Sequence, residues 1–184
     1  MEPNRRFRSA PAQSWSWSAV QRTARFSTIE TDTQRTPVLP LECPVRYEDV
    51  SRAYYRIKSG IVRTPCNYSM FLSELCETDV YTKLDFQQAS GSFKERGARN
   101  ALMLLAPEAR EKGVIAASAG NHALALAWHG KKLNIPVTCV MPLVAPLTKV
   151  EKCRKFGANV ILEGSHIGEA RDFAKKNFPD LPYM

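Results

Sequence analysis

The sequence predicts an α/β fold with parallel sheets flanked by helices, and three observations predict it. Short apolar runs at GVIAAS (113–118), VTCVMP (137–142) and NVILEG (159–164) have the length and character of strands buried on both faces. Longer segments with helical spacing follow each run: NHALALAWHGKKL, LTKVEKCRKFG and HIGEARDFAKKNF. Strands of about 5 to 7 residues thus alternate with helices of about 11 to 15, the pattern of βαβ units.

Taken in order, residues 1–36 are expected to be a leader outside the fold. Within it, residues 3–29 carry five arginines, many serines and no acid, and lack the apolar stretch of a secretory signal. That is the composition of a mitochondrial transit peptide, so a mitochondrial location is expected. A cytoplasmic protein with an unaddressed arm is the alternative. Pro37 and Pro40 mark a boundary, because proline interrupts helices. The stretch 45–60, VRYEDVSRAYYRIKSG, reads as a helix, and VYTKLDF (80–86) as a strand. A helix is then expected from Ser92, where Ser92 and Glu95 match an S-x-x-E capping box. The remaining helices follow the three apolar strands, the second of them ending on Gly157.

Composition narrows the function. The net charge of +8 divides into six basic against three acidic residues in 1–36 and twenty against fifteen beyond. Mixed signs, without a basic run interleaved with aromatics, give no nucleic-acid groove. No run approaches the roughly 20 apolar residues of a membrane span. The five cysteines are odd in number, widely spaced and without CxxC, which indicates reduced, mostly buried thiols. His122, His129 and His166 form no zinc pattern, so no metal site is expected.

Two short stretches suggest chemistry. In QASGSFKERGARNALMLL (88–105), Lys94 falls in the first turn of a helix, where unpaired N–H groups and the macrodipole disfavour an ammonium. A neutral amine is the form that attacks carbonyls and abstracts protons. Gly91 allows a sharp turn before it. Gly97 weakens the helix unless something approaches closely. A solvated surface lysine is the bland alternative. In AASAGNHALALAW (116–128), small residues end a strand, and a helix starts at Asn121 or His122. Free N–H groups at such a turn bind carboxylate or phosphate, at the strand end where α/β proteins place ligands. Neither GxGxxG nor GxxxxGK[ST] is present.

Together, GSFKERGARNA followed by SAGNHA resembles the fold-type II pyridoxal-phosphate enzymes (tryptophan synthase β-like), and within them the threonine and serine dehydratases and serine racemase. The likeness continues upstream through IVRTPCNYSMFLSELCETDVYTKLDFQQ and downstream through VMPLVAPLTKVEKCRKFGANVIL, covering roughly 40–184. It implies that Lys94 holds pyridoxal 5′-phosphate covalently and acts as general base, with Phe93 near the cofactor ring. It implies that Asn121 bonds the cofactor's 3′-oxygen, and that Ser118, Ala119, Gly120, Asn121 and His122 receive the substrate carboxylate. The implied reaction is β-elimination from L-threonine or L-serine, giving 2-oxobutanoate or pyruvate plus ammonia. Such a lyase would serve amino-acid metabolism, including isoleucine biosynthesis, and would be a homo-oligomer at full length.

Racemisation needs a second acid/base, which serine racemase supplies from a serine directly before the loop glycine. Ala119 stands there, so a dehydratase is expected over a racemase. The resemblance further implies that 37–115 begins the large cofactor-binding domain and that 116–184 forms a small mobile domain. In the family a glycine-rich loop farther downstream holds the cofactor phosphate. The nine glycines here are never adjacent, so the chain is expected to be incomplete at its C-terminus, with the next strand starting at LPYM. An inactive product that associates with a full-length subunit is the second alternative.

Overall fold

In a computed structural model, residues 44–184 are described and form one compact unit. The leader 1–36, and the localisation expected from it, lie outside the described residues. The elements are α1 (Tyr47–Ile57), β1 (Cys66–Tyr68), α2 (Met70–Cys76), β2 (Tyr81–Lys83), α3 (Lys94–Leu104), α4 (Pro107–Lys112), β3 (Val114–Ala117), α5 (Asn121–Leu133), β4 (Val137–Met141), α6 (Leu147–Lys155), β5 (Asn159–Leu162) and α7 (Ile167–Asn177). None of these helices is long and apolar enough to cross a membrane.

The three apolar runs form a parallel sheet in the order β3-β4-β5, pairing Ala116 with Cys139 and Cys139 with Val160. Period-two alternation sends the side chains to two cores. Val114, Ala116, Cys139 and Met141 pack with α5 and with Ala98 and Leu102 of α3. Ile115 and Val140 meet Ala170 and Ala174 of α7 on the other side. Both faces of β3 and β4 are covered, which is why those strands read as unbroken apolar runs, whereas β5 at the end of the order is only partly covered. The residues LPYM continue the sheet: Tyr183 bridges Ile115 in parallel, with Met184 N–H to Ile115 O at 2.9 Å. The 115/116 division expected from the sequence falls inside β3.

Alanine sets the spacing of the main core. Ala123, Ala125 and Ala127 of α5 are fully buried, so α5 seats closely against both the sheet and α3. At the end of α5 the approach is closest. A Cβ on Gly130 would lie 2.3 Å from Val137 Cγ2 and 2.8 Å from the Ile135 carbonyl.

The N-terminal region departs from expectation. The strand expected over 80–86 is only Tyr81–Lys83, and it pairs antiparallel with Cys66–Tyr68 in a separate two-stranded sheet. Its run stops because Asp85–Gln87 coils into a 3₁₀ turn. The Asp85 carboxylate there accepts from Thr64 and Arg96 instead of extending along a ladder. The segments β1, α2 and α4 carry too few residues for a periodic signal, and sequence reading passed over them. Of the four described cysteines, all free, Cys139 and Cys153 are buried while Cys66 and Cys76 are exposed, so the described thiols divide evenly instead of being mostly buried.

Gly130→Ala is expected to destabilise the chain by about 1–3 kcal/mol through overpacking, read as a lower urea midpoint. An unchanged midpoint would show that β4 yields at no cost.

Candidate active site

The Lys94 turn is fixed by side chains before the helix begins. Gln88 closes a two-bond bridge to the Val62 backbone, donating to its carbonyl at 2.9 Å and accepting its N–H at 3.0 Å. Asp85 accepts from Arg96 Nε at 2.8 Å and Nη2 at 2.9 Å, and from Thr64 Oγ1 at 2.6 Å. The Arg96 bond leads the causes that hold the Asp85 carboxyl well below the usual carboxylate range. Gly91, at φ +83°, then turns the chain in a backbone region that favours glycine.

The helix starts at Lys94 itself, two residues later than the expected Ser92. Ser92 Oγ does accept an N–H, but from Lys94 at 3.3 Å, and the reciprocal half of the capping box is absent. Glu95 turns away from it. One of its oxygens accepts the Ser90 N–H, and the other lies 3.2 Å from His129 Nε2. Burial would raise the Glu95 carboxyl, and the His129 and Ser90 contacts outweigh it and hold the carboxyl low. A side chain that could cap a helix at the surface is instead spent on a contact with α5. Gly97 is exposed with open space where a Cβ would stand, so no close approach explains it.

Lys94 and Phe93 are both exposed, with the amine 5.2 Å from the phenyl centroid. Among the described residues no carboxylate forms an ion pair with Lys94. The amine is therefore accessible to a carbonyl compound.

The second stretch is the β3–α5 turn. Ser118 N–H donates to Val140 O at 3.1 Å, continuing the ladder past β3. Ser118 Oγ then accepts the Gly120 N–H at 3.3 Å. Ser118, Ala119 and Gly120 are half-buried, and Ala119 packs against the main core. The first helical bond runs from Leu124 N–H to Gly120 O, so the N–H groups of Asn121, His122 and Ala123 precede the intrahelical ladder. Asn121 Oδ1 accepts from Lys149 Nζ of α6 at 3.1 Å. With its oxygen so engaged, Asn121 presents its amide N–H groups to an acceptor.

Packing of α3 along α5 brings the two stretches together. His122 records it: burial lowers its pKa, the Met184 backbone opposes this, and the Lys94 charge lowers it further. Every residue expected at the site therefore belongs to one of two adjoining turns. Sequence reasoning missed Glu95, His129 and Lys149. The i,i+4 pair Glu95 and Arg99 on the face of α3 that meets His129 was the available signal for the first two.

A family model for pyridoxal-phosphate-dependent enzymes matches residues 57–180. The chain belongs to that family. It is 45% identical over 130 residues to an L-threonine ammonia-lyase of Thermotoga maritima, covering 71% of this chain and 32% of that protein. A serine racemase structure from Dictyostelium discoideum superposes with a TM-score of 0.69 at 30% identity, over 74% of this chain and 45% of that one. The processed form of threonine deaminase isoform 2 from Solanum lycopersicum gives 0.64 at 31% identity, over 76% and 43%. The chain thus spans about a third to a little under half the length of these relatives. Family membership carries dependence on pyridoxal phosphate and the fold-type II architecture seen in the β3-β4-β5 sheet.

The His122 ring is expected to titrate below the ordinary value of about 6.5. Because its folded pKa is depressed, it removes stability as pH falls through the unfolded value, where the unfolded chain takes up the proton first. Lys94→Ala should move the midpoint upward, measured from the ring proton shifts by NMR. An unmoved midpoint would separate the two turns.

Proposed function

We propose that this chain carries the lysine and asparagine half of a pyridoxal-phosphate-dependent ammonia-lyase active site. The whole protein would act on L-threonine or L-serine by β-elimination, releasing ammonia and a 2-oxo acid. The observation that carries the reading is the meeting of an accessible, unpaired Lys94 with the Asn121 turn in one site.

The residues present fit the cofactor. Lys94 offers an amine to its aldehyde, and Asn121, held by Lys149, offers N–H donors to its ring oxygen. When bound, pyridoxal phosphate supplies an electron sink for charge developing at the substrate Cα. The chain does the rest. Lys94 takes the Cα proton and stays within reach because Gln88 and Asp85 fix its turn. The N–H groups that open α5 orient the substrate carboxylate. Phe93 beside Lys94 gives the ring an apolar neighbour. Ala119 has no proton to exchange, so a carbanion is not reprotonated from that position, and this favours elimination over racemisation.

The test is to mix the chain with pyridoxal phosphate, reduce with borohydride, and map the modified lysine by mass spectrometry. Modification is expected at Lys94 well ahead of the other exposed lysines, lost in Lys94→Ala and weakened in Lys149→Ala. A 2-oxo acid assay with threonine and serine, on the chain and on a fusion of it to the remaining C-terminal portion of a full-length relative, reads the reaction. Uniform modification of all lysines would refute the assignment of Lys94. Selective modification with no 2-oxo acid from either form would keep the cofactor site and refute the lyase.

A further inference from the structure

A cavity of about 410 Å³ lies between α3, α5, the 59–62 loop and Ala89. That size is within the roughly 300–1,000 Å³ usual for small-molecule sites. Its walls include Gly60, Val62, Glu95, Arg99, Trp128 and Lys132. From the residues of this cavity we infer that it binds a small organic oxoanion through a carboxylate or phosphate group.

The argument begins with Arg99. The side chain is only 8% exposed, and its Nε has no hydrogen-bond partner. Its one hydrogen-bond contact among the described residues is to His129, with Nη1 3.5 Å from Nδ1. That contact makes Nδ1 the acceptor, since a guanidinium cannot accept, and leaves Nε2 as the nitrogen that faces Glu95. Glu95, one turn before Arg99 on α3, has both its oxygens engaged, by the Ser90 N–H and by His129, and does not pair with Arg99. Among the described residues no carboxylate pairs with Arg99. A buried guanidinium with no carboxylate in direct contact and an unsatisfied Nε is costly, even with the Glu95 charge one turn away. The guanidinium edge that carries Nε matches the oxygen spacing of a carboxylate or phosphate.

The surroundings are built for that edge. The guanidinium lies over Gly60 so closely that a Cβ there would fall 1.8 Å from Arg99 Cζ, so a larger residue would displace it. A second cation stands at the rim. Lys132 Nζ sits 5.0 Å over the Trp128 ring, which holds the exposed lysine against the cavity wall. Trp128 is itself braced by Phe156, with centroids 5.1 Å apart. Two cations, one deep and one at the rim, with an aromatic wall between them, select an anion attached to a small organic body.

The cavity adjoins the Lys94 turn through Ala89 and Glu95 but contains neither Lys94 nor the Asn121 turn, and the inference does not depend on the proposed lyase activity. The experiment uses the full chain with Trp15→Phe and Trp17→Phe, which leaves Trp128 as its one tryptophan. Emission is titrated with inorganic phosphate and separately with acetate, at ionic strength held constant with chloride. A saturable change at millimolar anion is expected, and the ion that saturates first tells phosphate from carboxylate recognition. Lys132→Ala should weaken the response several-fold, Arg99→Met should abolish it, and Asn121→Ala should leave it intact. A response that never saturates, or one equal in Arg99→Met, would overturn the proposal. So would loss in Asn121→Ala, which would assign the anion to the start of α5. If Arg99→Met does not fold, unchanged affinity in Lys132→Ala overturns it equally.

Discussion

The site rests on a buried polar contact between two helices. Glu95 and His129 are almost wholly removed from water, and their side chains meet at 3.2 Å across the seam of α3 and α5. Apolar packing of alanines and leucines draws these helices together, but it is not directional and tolerates sliding. A carboxylate and an imidazole buried in that seam do not tolerate it, because a shift separates the Glu95 oxygen from the ring nitrogen it faces. The contact therefore sets the register of α3 on α5. Lys94 sits one residue before Glu95, and Asn121 sits two turns before His129, so register decides whether the two functional turns adjoin.

The sheet supplies the other half of the constraint. Because β3 is parallel to β4 and buried on both faces, its carboxyl end must deliver the chain into α5 through a short turn. That end is where open α/β proteins place ligands. Small residues at 117–120 let the turn stay tight, and Lys149 reaches from α6 to orient Asn121. On the other side, the 85–92 segment gives up strand geometry so that Asp85 and Gln88 can tie the Lys94 turn to the 62–64 loop. Strand lost there becomes a rigid platform for the lysine.

The parallel sheet and its helices were legible because each βα unit is a contiguous run with its own period. Lys94 and Asn121 were legible because each stands at a helix start, where residue choice is unusual. Glu95 misled for an informative reason. The S-x-x-E pattern is a local signal, and the capping box it predicts lost to a partner 34 positions away, which no local pattern contains. Likewise β2 looked longer than it is because apolar residues near 84–86 serve a 3₁₀ turn held by polar side chains. His129 was invisible as a functional residue, since within ALALAWHG it reads as one polar position on a buried helix. Lys149 looked like any basic residue on an exposed helix face.

If the Glu95–His129 contact sets the register, the two residues must be energetically coupled. The direct measurement is a double-mutant cycle with Glu95→Gln, His129→Phe and the pair, each unfolded in urea. A coupling of about 0.5–3 kcal/mol is expected, with the double variant less damaged than the sum of the singles. Strict additivity would contradict the account, leaving apolar packing alone to hold Lys94 beside the Asn121 turn.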